Sequence, residues 1–244
     1  MRNFKLTIQY DGTNYHGFQI QPIAITIQKV LETALSSITG ENIHVNGCSR
    51  TDAGVHAVMY VCSFNTEFRI PPERLPIVLN NKLPDDIIAL ECTEVPMDFH
   101  ARFDTVCKTY RYCINTDINP HVFTRNYEWQ IKKSLEIKKM QEAAKYIIGT
   151  HDFNCFMTAG ADVQSTVRTV FDLKIVSENN YVYVYIKADG YLYNMVRIIT
   201  GTLVNVGLGK NLPEDLERII SQKKRENAGP TAPPQGLSLY KVEY

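Results

Sequence analysis

The sequence has no excess of charge of either sign, no C-x-x-C pair and no apolar run long enough to cross a membrane. Lys plus Arg number 26 and Asp plus Glu number 26, so no global field attracts a polyanion, and a surface for one must come from local segregation of charge. The six cysteines stand singly at 48, 62, 92, 107, 113 and 155. With no secretory leader before the first strand-like segment, the expectation is a reduced, cytoplasmic chain. The longest weakly charged stretch, residues 190–209, is broken by Asn194, Arg197, Asn205 and several glycines, too polar for a membrane span. The six histidines never adopt H-E-x-x-H spacing, so no zinc site is expected. Gly207-Leu208-Gly209-Lys210 lacks the earlier Gly and the following Ser or Thr of a phosphate-binding loop.

What is present is an ordinary globular composition, 44% hydrophobic and 21% charged over 244 residues, which excludes disorder and leaves room for one large domain or two small ones. Phe4, Leu6, Ile8 and Tyr10 alternate at the period of a half-buried strand. After Thr26 as N-cap, Ile27, Val30, Leu31, Ala34, Leu35 and Ile38 recur at helical spacing until Gly40. Strands at 43–46 and 58–64 flank an irregular loop. A short helix after Pro71-Pro72 runs to about Asn80, and a strand at 87–95 completes a βαββαβ unit. The same order reappears from Lys108: a strand to Ile114, a helix over 134–148, two strands around Glu178-Asn179-Asn180, a helix over 191–206, a shorter one after Pro213, and a strand over 237–242. The pattern predicts an α+β protein of two ferredoxin-like halves, 1–104 and 105–244, with mainly antiparallel strands.

Three segments carry chemistry. The loop Gly47-Cys48-Ser49-Arg50-Thr51-Asp52-Ala53-Gly54-Val55-His56-Ala57 is longer than a hairpin requires. A turn in which Asp52 bonds nearby N–H groups is the ordinary account of it; the alternative is a functional acid. Between Asp189 and Lys210 the only charged residue is Arg197. A solvated helix face carries several charges, so a single Arg points to a helix covered on both faces, with a buried acidic partner for the guanidinium, unless the side chain snorkels to water. Lys108-Thr109-Tyr110-Arg111-Tyr112 reads as a strand with tyrosines on one face, or as a ring and a cation offered to a nucleobase. The Lys132-Lys133, Lys138-Lys139 and Lys223-Lys224-Arg225 clusters are solvated faces or a phosphate-tracking surface.

The core Arg50-Thr51-Asp52-Ala53-Gly54-Val55-His56-Ala57 strongly resembles the catalytic motif of the tRNA pseudouridine synthase A family. Four more segments resemble it in the same order: Tyr10-Asp11-Gly12-Thr13 with Gly17-Phe18-Gln19; residues 99–103 with 108–112; Gly149-Thr150-His151-Asp152-Phe153; and Tyr193-Asn194-Met195-Val196-Arg197 through to residues 228–234. The resemblance implies an isomerase that converts uridine to pseudouridine in the tRNA anticodon stem-loop, at positions 38, 39 and 40, without a cofactor. It implies two halves sharing an extended sheet with a cleft between them, a homodimer, and tRNA as partner. Asp52 then matches the catalytic aspartate, Tyr110 the active-site tyrosine, Arg197 the arginine paired with the aspartate, and Arg50 an arginine that helps displace the target base. Phe18, Cys48-Ser49 and Trp129-Gln130 depart from common family residues.

The residue types suit the reaction. Asp52 attacks C1′ or removes a 2′ proton, and either role needs an ionised carboxylate, which an adjacent guanidinium favours against burial. Extruding the base costs a few kcal/mol, which Arg50 offsets by filling the gap. Two other classes are a noncatalytic RNA-binding module, for which no RNP1 pattern is present, and a glycosidase-like hydrolase, for which no paired acid is evident.

Overall fold

The computed structural model describes residues 1–158, 160 and 163–244. They form ten strands and five α-helices, an α+β protein as the alternation of patterns predicts. The chain divides into two compact units, 1–106 with 238–244, and 107–237. The sequence pattern places the closing strand with the second half. In the structure it belongs to the first unit.

In the first unit, β1 (Arg2–Tyr10) lies between β4 (Ile87–Val95) and β3 (His56–Thr66), antiparallel to both. The closing strand β10 (Leu237–Glu243) runs parallel to β3, with Ser238 opposite His56. Two hydrogen bonds hold its end: Val106 N–H donates to the Glu243 carbonyl at 2.9 Å, and the Tyr244 hydroxyl to the Ala101 carbonyl at 2.8 Å. Backbone pairing is what moves the strand out of its sequential half. The expected strand over 43–46 shrinks to β2 (Asn46–Gly47) on β3. Its backbone is partly engaged by side chains instead, since Val45 N–H donates to Glu32 and Ile43 N–H to Ser36.

Helix α1 (Ile27–Thr39) begins and ends as its sequence requires. Thr26 accepts from Lys29 N–H, and Gly40 takes the left-handed conformation (φ 72°), its N–H donating to the Ser36 carbonyl. Ile27, Leu31 and Leu35 are fully buried beneath it. After Pro71-Pro72 a 3₁₀ turn leads into α2 (Leu75–Asn80).

In the second unit β5 (Cys107–Asn115), β9 (Tyr181–Ala188), β8 (Val167–Glu178) and β7 (Gly149–Asp152) are successive antiparallel neighbours, and β6 (Trp129–Gln130) lies parallel to β5. The β8–β9 turn falls at Asn179 (φ 53°), as predicted. Helix α3 (Ile137–Ala144) is shorter than the 134–148 expected. Ser134 does not cap it; the Glu136 N–H is instead bonded to the Gly207 carbonyl, and Gly149, at φ 115°, starts β7. Helix α4 (Met195–Gly207) starts four residues later than predicted because Asn194 adopts φ 61°. Helix α5 (Asp215–Gln222) follows Pro213. No helix among the described residues is long and apolar enough to cross a membrane.

Thr26 is completely buried, so its cap cannot be replaced by water. Thr26→Ala should cost about 1 kcal/mol in urea unfolding, and Thr26→Ser should recover most of that.

Candidate active site

Asp52 lies in the loop between β2 and β3, and this loop is braced by the segment that follows β1. Gly12 sits against Val55 so closely that a Cβ there would stand 2.0 Å from the Val55 carbonyl oxygen; a Cβ at Gly17 would be 2.3 Å from that of Thr51. Phe18 N–H donates to the Thr51 carbonyl at 3.2 Å, and Gly54 N–H to the Tyr15 carbonyl at 3.2 Å. The Tyr10 hydroxyl and Thr51 Oγ1 are 2.7 Å apart. At the entry to the loop, Phe18 stacks on Tyr60 at 4.3 Å between ring centres, and the Tyr60 hydroxyl donates to the Ser49 carbonyl. Gly47 makes room for both rings, since a Cβ would meet Tyr60 Oη at 2.1 Å and Phe18 Cε1 at 2.3 Å. At the loop's exit, His56 Nδ1 accepts from Gly12 N–H at 3.0 Å and lies 3.0 Å from Asp11 Oδ1. Burial drives the Tyr60 phenol well above its ordinary range.

This bracing leaves Asp52 half-buried between buried Thr51 and Val55, while Arg50 and Ala53 are exposed. The main chain turns at this point, with Val55 N–H donating to the Asp52 backbone carbonyl at 3.1 Å. The Asp11-Gly12 and Gly17-Phe18 pairs were visible in the sequence only as motif positions. Their task, holding the loop backbone to backbone, is a contact between segments over thirty residues apart that no local pattern reveals.

Tyr110 and Arg197 belong to the second unit. Tyr110, on β5, is 5% exposed, and its ring meets that of Tyr191 edge-on at 4.9 Å. Tyr112, two residues on and on the same face, is fully buried with its hydroxyl donated to the Pro233 carbonyl. The one-face tyrosine reading of this strand therefore holds. Arg111 lies on the opposite face with its guanidinium 5.8 Å from the centre of the Tyr183 ring. Burial pushes the Tyr191 phenol far up, with Tyr110 adding to the effect. The Tyr112 phenol is raised by burial as well, and the positive charge of Arg197 works against that rise.

Eleven of the thirteen residues of α4 are buried, so the helix is covered on both faces, as the lone charge suggested. The Pro-rich loop 228–236 supplies part of the cover. A Cβ at Gly201 would lie 1.8 Å from the Pro230 carbonyl oxygen, and Gly229 N–H donates to Thr202 Oγ1 at 2.8 Å. Arg197 sits half-buried in the first turn of α4. Its Nε donates to the Ala232 carbonyl at 2.7 Å and its Nη1 to Asn194 Oδ1 at 2.6 Å, while Ala232 N–H returns a bond to the Arg197 carbonyl.

The basic cluster 223–225 is not the solvated stripe that its sequence allows. Arg225 turns inward, donating to the Ala228 and Gly229 carbonyls and to Thr231 Oγ1, so it fastens the Pro-rich loop. Lys223 pairs with Asp152 at 2.8 Å and, with Thr166, holds that carboxylate below its usual range. Lys224 remains exposed. Charge runs record residue type and not direction, which is why sequence could not separate the three.

A family model described as tRNA pseudouridine synthase matches residues 6–104 and 143–244. These segments include Arg50, Asp52 and Arg197, and Tyr110 falls between them. Proteins named tRNA pseudouridine synthase A from Clostridium acetobutylicum and from a Thermoanaerobacter species are 50% and 48% identical to this chain over 244 residues, covering all of both sequences in each pair. A Clostridium perfringens protein named tRNA pseudouridine synthase A 2 is 48% identical over the same full length.

The inward Arg225 yields a test. Arg225→Ala should lower stability by about 2 kcal/mol, because part-buried carbonyls lose a charged donor, whereas Lys224→Ala should stay within about 0.5 kcal/mol of the parent. Urea unfolding of the two variants distinguishes these outcomes, and equal losses would contradict the structural role of Arg225.

Proposed function

The chain belongs to the tRNA pseudouridine synthase family, and from that premise we propose how it acts and on which part of its substrate. Its reaction is the isomerisation of uridine to pseudouridine in tRNA. The target uridines lie in the anticodon stem-loop, at positions 38, 39 and 40. The enzyme works as a cytoplasmic homodimer without a cofactor. Full-length similarity to tRNA pseudouridine synthases is the observation that carries the activity.

In this proposal Asp52 is the catalytic carboxylate. The reaction breaks the N1–C1′ bond, turns the uracil, joins C5 to C1′ and removes the C5 proton, so all atoms are retained. A carboxylate is suited to it as a nucleophile at C1′ or as the base that removes a 2′ proton. The fixed backbone around Asp52 supports the role, because a reacting carboxylate gains from a position set before substrate arrives. Arg197 keeps Asp52 ionised, since a guanidinium lowers a carboxyl pKa that burial would raise. Tyr110 packs against the uracil and serves the late proton removal. Arg50 enters the space left by the extruded base; it is exposed, and no hydrogen bond or ion pair among the described residues engages it.

Release of tritium from 5-tritiated uridine in tRNA reads the whole reaction. Asp52→Asn should abolish release and leave tRNA binding nearly intact, since the amide keeps the shape without the chemistry. Turnover above a trace in that variant removes Asp52 from the mechanism. Tyr110→Phe should retain binding and slow release, and wild-type rates would show that its hydroxyl is idle.

Stability alone cannot test the Asp52–Arg197 pairing, because Arg197→Met also strips the Ala232 carbonyl and Asn194 of a donor. A double-mutant cycle with Asp52→Asn isolates the coupling. We expect the double variant to lose less than the sum of the two single losses. Any residual activity of Arg197→Met should have its acid limb at higher pH, because the carboxylate then protonates more readily. Strictly additive losses with an unmoved acid limb would separate the two residues.

A further inference from the structure

Asn194 occupies the cap position of α4 but does not cap it. A cap Asn ordinarily accepts from the second or third N–H of its helix, whereas the Asn194 side chain makes no such bond. Both ends of its carboxamide are committed elsewhere. Oδ1 accepts from Arg197 Nη1 at 2.6 Å, and Nδ2 donates to Thr158 Oγ1 at 2.9 Å. The backbone is left-handed, at φ 61°, where glycine fits without strain and an Asn is tolerated. If the bend before the helix were the only requirement, glycine would meet it.

Arg197 needs such a hold. It stands in the first helical turn, where the helix dipole presents its positive end and disfavours a cation. Among the groups that hold it, Asn194 Oδ1 and the Ala232 carbonyl carry no formal charge. These two contacts fix the direction of the guanidinium and add no opposing charge of their own. An acid in the place of Asn194 would fix it equally well and neutralise it.

We infer that Asn194 is a positioning residue for the isomerisation, orienting Arg197 through an acceptor that carries no charge of its own. This rests on the proposed role of Arg197. Asn194 itself touches no reacting atom in this scheme. Thr158, the other partner of its carboxamide, is further tied to the same segment by its N–H bond to the Tyr193 carbonyl at 3.1 Å, so the hold is anchored on both sides.

The test uses the full-length enzyme and tritium release across a pH series for Asn194→Gly, Asn194→Asp and Arg197→Met, with tRNA affinity and thermal midpoint measured on each. Asn194→Gly keeps the left-handed backbone and removes the acceptor; kcat should fall roughly 10- to 100-fold, the scale of a small misplacement of a reacting group, with KM and thermal midpoint little changed. Asn194→Asp keeps the acceptor but adds a charge that competes for the guanidinium, so its acid limb should move to higher pH. Wild-type turnover in Asn194→Gly alongside an inactive Arg197→Met would overturn the positioning role while leaving that of Arg197 standing. A fall in kcat that merely follows a fall in thermal midpoint, with the acid limb of Asn194→Asp unmoved, would also overturn it. Wild-type turnover in Arg197→Met would remove Arg197 from the mechanism, and the positioning role with it.

Discussion

Backbone pressed directly against backbone is the constraint on which both groups of candidate residues depend. A loop that carries a reacting side chain is ordinarily the mobile part of a fold. Here the loop around Asp52 is held by contacts that exclude even a methyl group, with Gly12 against the Val55 carbonyl and Gly17 against that of Thr51. The second unit uses the same device, Gly201 against Pro230 and Gly229 against Thr202. Contacts of this kind leave no side-chain rotamers to adjust, so the position of each loop is inherited from the strand or helix beneath it. Tyr60 extends the principle on β3, since its ring stacks on Phe18 and its hydroxyl holds Ser49.

The second unit shows how an uncharged helix can hold one cation. Covering both faces of α4 with apolar residues and the Pro-rich loop removes water from the flanks of the helix, and a guanidinium left there must find oxygens in the protein. Arg197 finds a backbone carbonyl and a carboxamide. Arg225 fastens the same loop from the other side, through the carbonyls of Ala228 and Gly229. Two arginines thus order one Pro-rich segment, one of them at the candidate site and the other supporting it. Removing either would be felt by the other through that segment, which is why the effects of substitutions here need not add.

Elements whose limits are set by local chemistry were legible in the sequence. Helix α1 is bounded by Thr26 and Gly40, β1 carries the alternation of Phe4, Leu6, Ile8 and Tyr10, and the β8–β9 turn falls at Asn179-Asn180, and each was placed closely. The loop bearing Arg50 and Asp52 was also legible, because its length exceeded what a hairpin needs. Features set by distant segments were not. The first turn assigned to α3 is lost to a bond between Glu136 and Gly207, and the start of α4 is set by the left-handed Asn194. The closing strand joins the first unit because its backbone partner is His56–Ala57, nearly two hundred residues away in sequence. Arg225 looked like surface charge because its acceptors are main-chain carbonyls, which every residue has and no sequence marks.

The distinction between neutral and charged partners connects these observations to the chemistry. A carboxylate that must stay ionised while half-buried gains from a nearby cation, but only from one whose charge has not already been cancelled. Surface lysines do not meet that condition well, as Lys223 shows: it is spent on Asp152, whose acidity it increases. Asn194 Oδ1 and the Ala232 carbonyl carry no formal charge, so they give Arg197 direction without adding an opposing charge of their own. A chain with equal numbers of acids and bases therefore does not need a net field to prepare its chemistry. In the proposed mechanism a cation steered by dipoles acts with an acid on a loop fixed backbone to backbone, and the Asn194 carboxamide and the glycines provide these two kinds of hold.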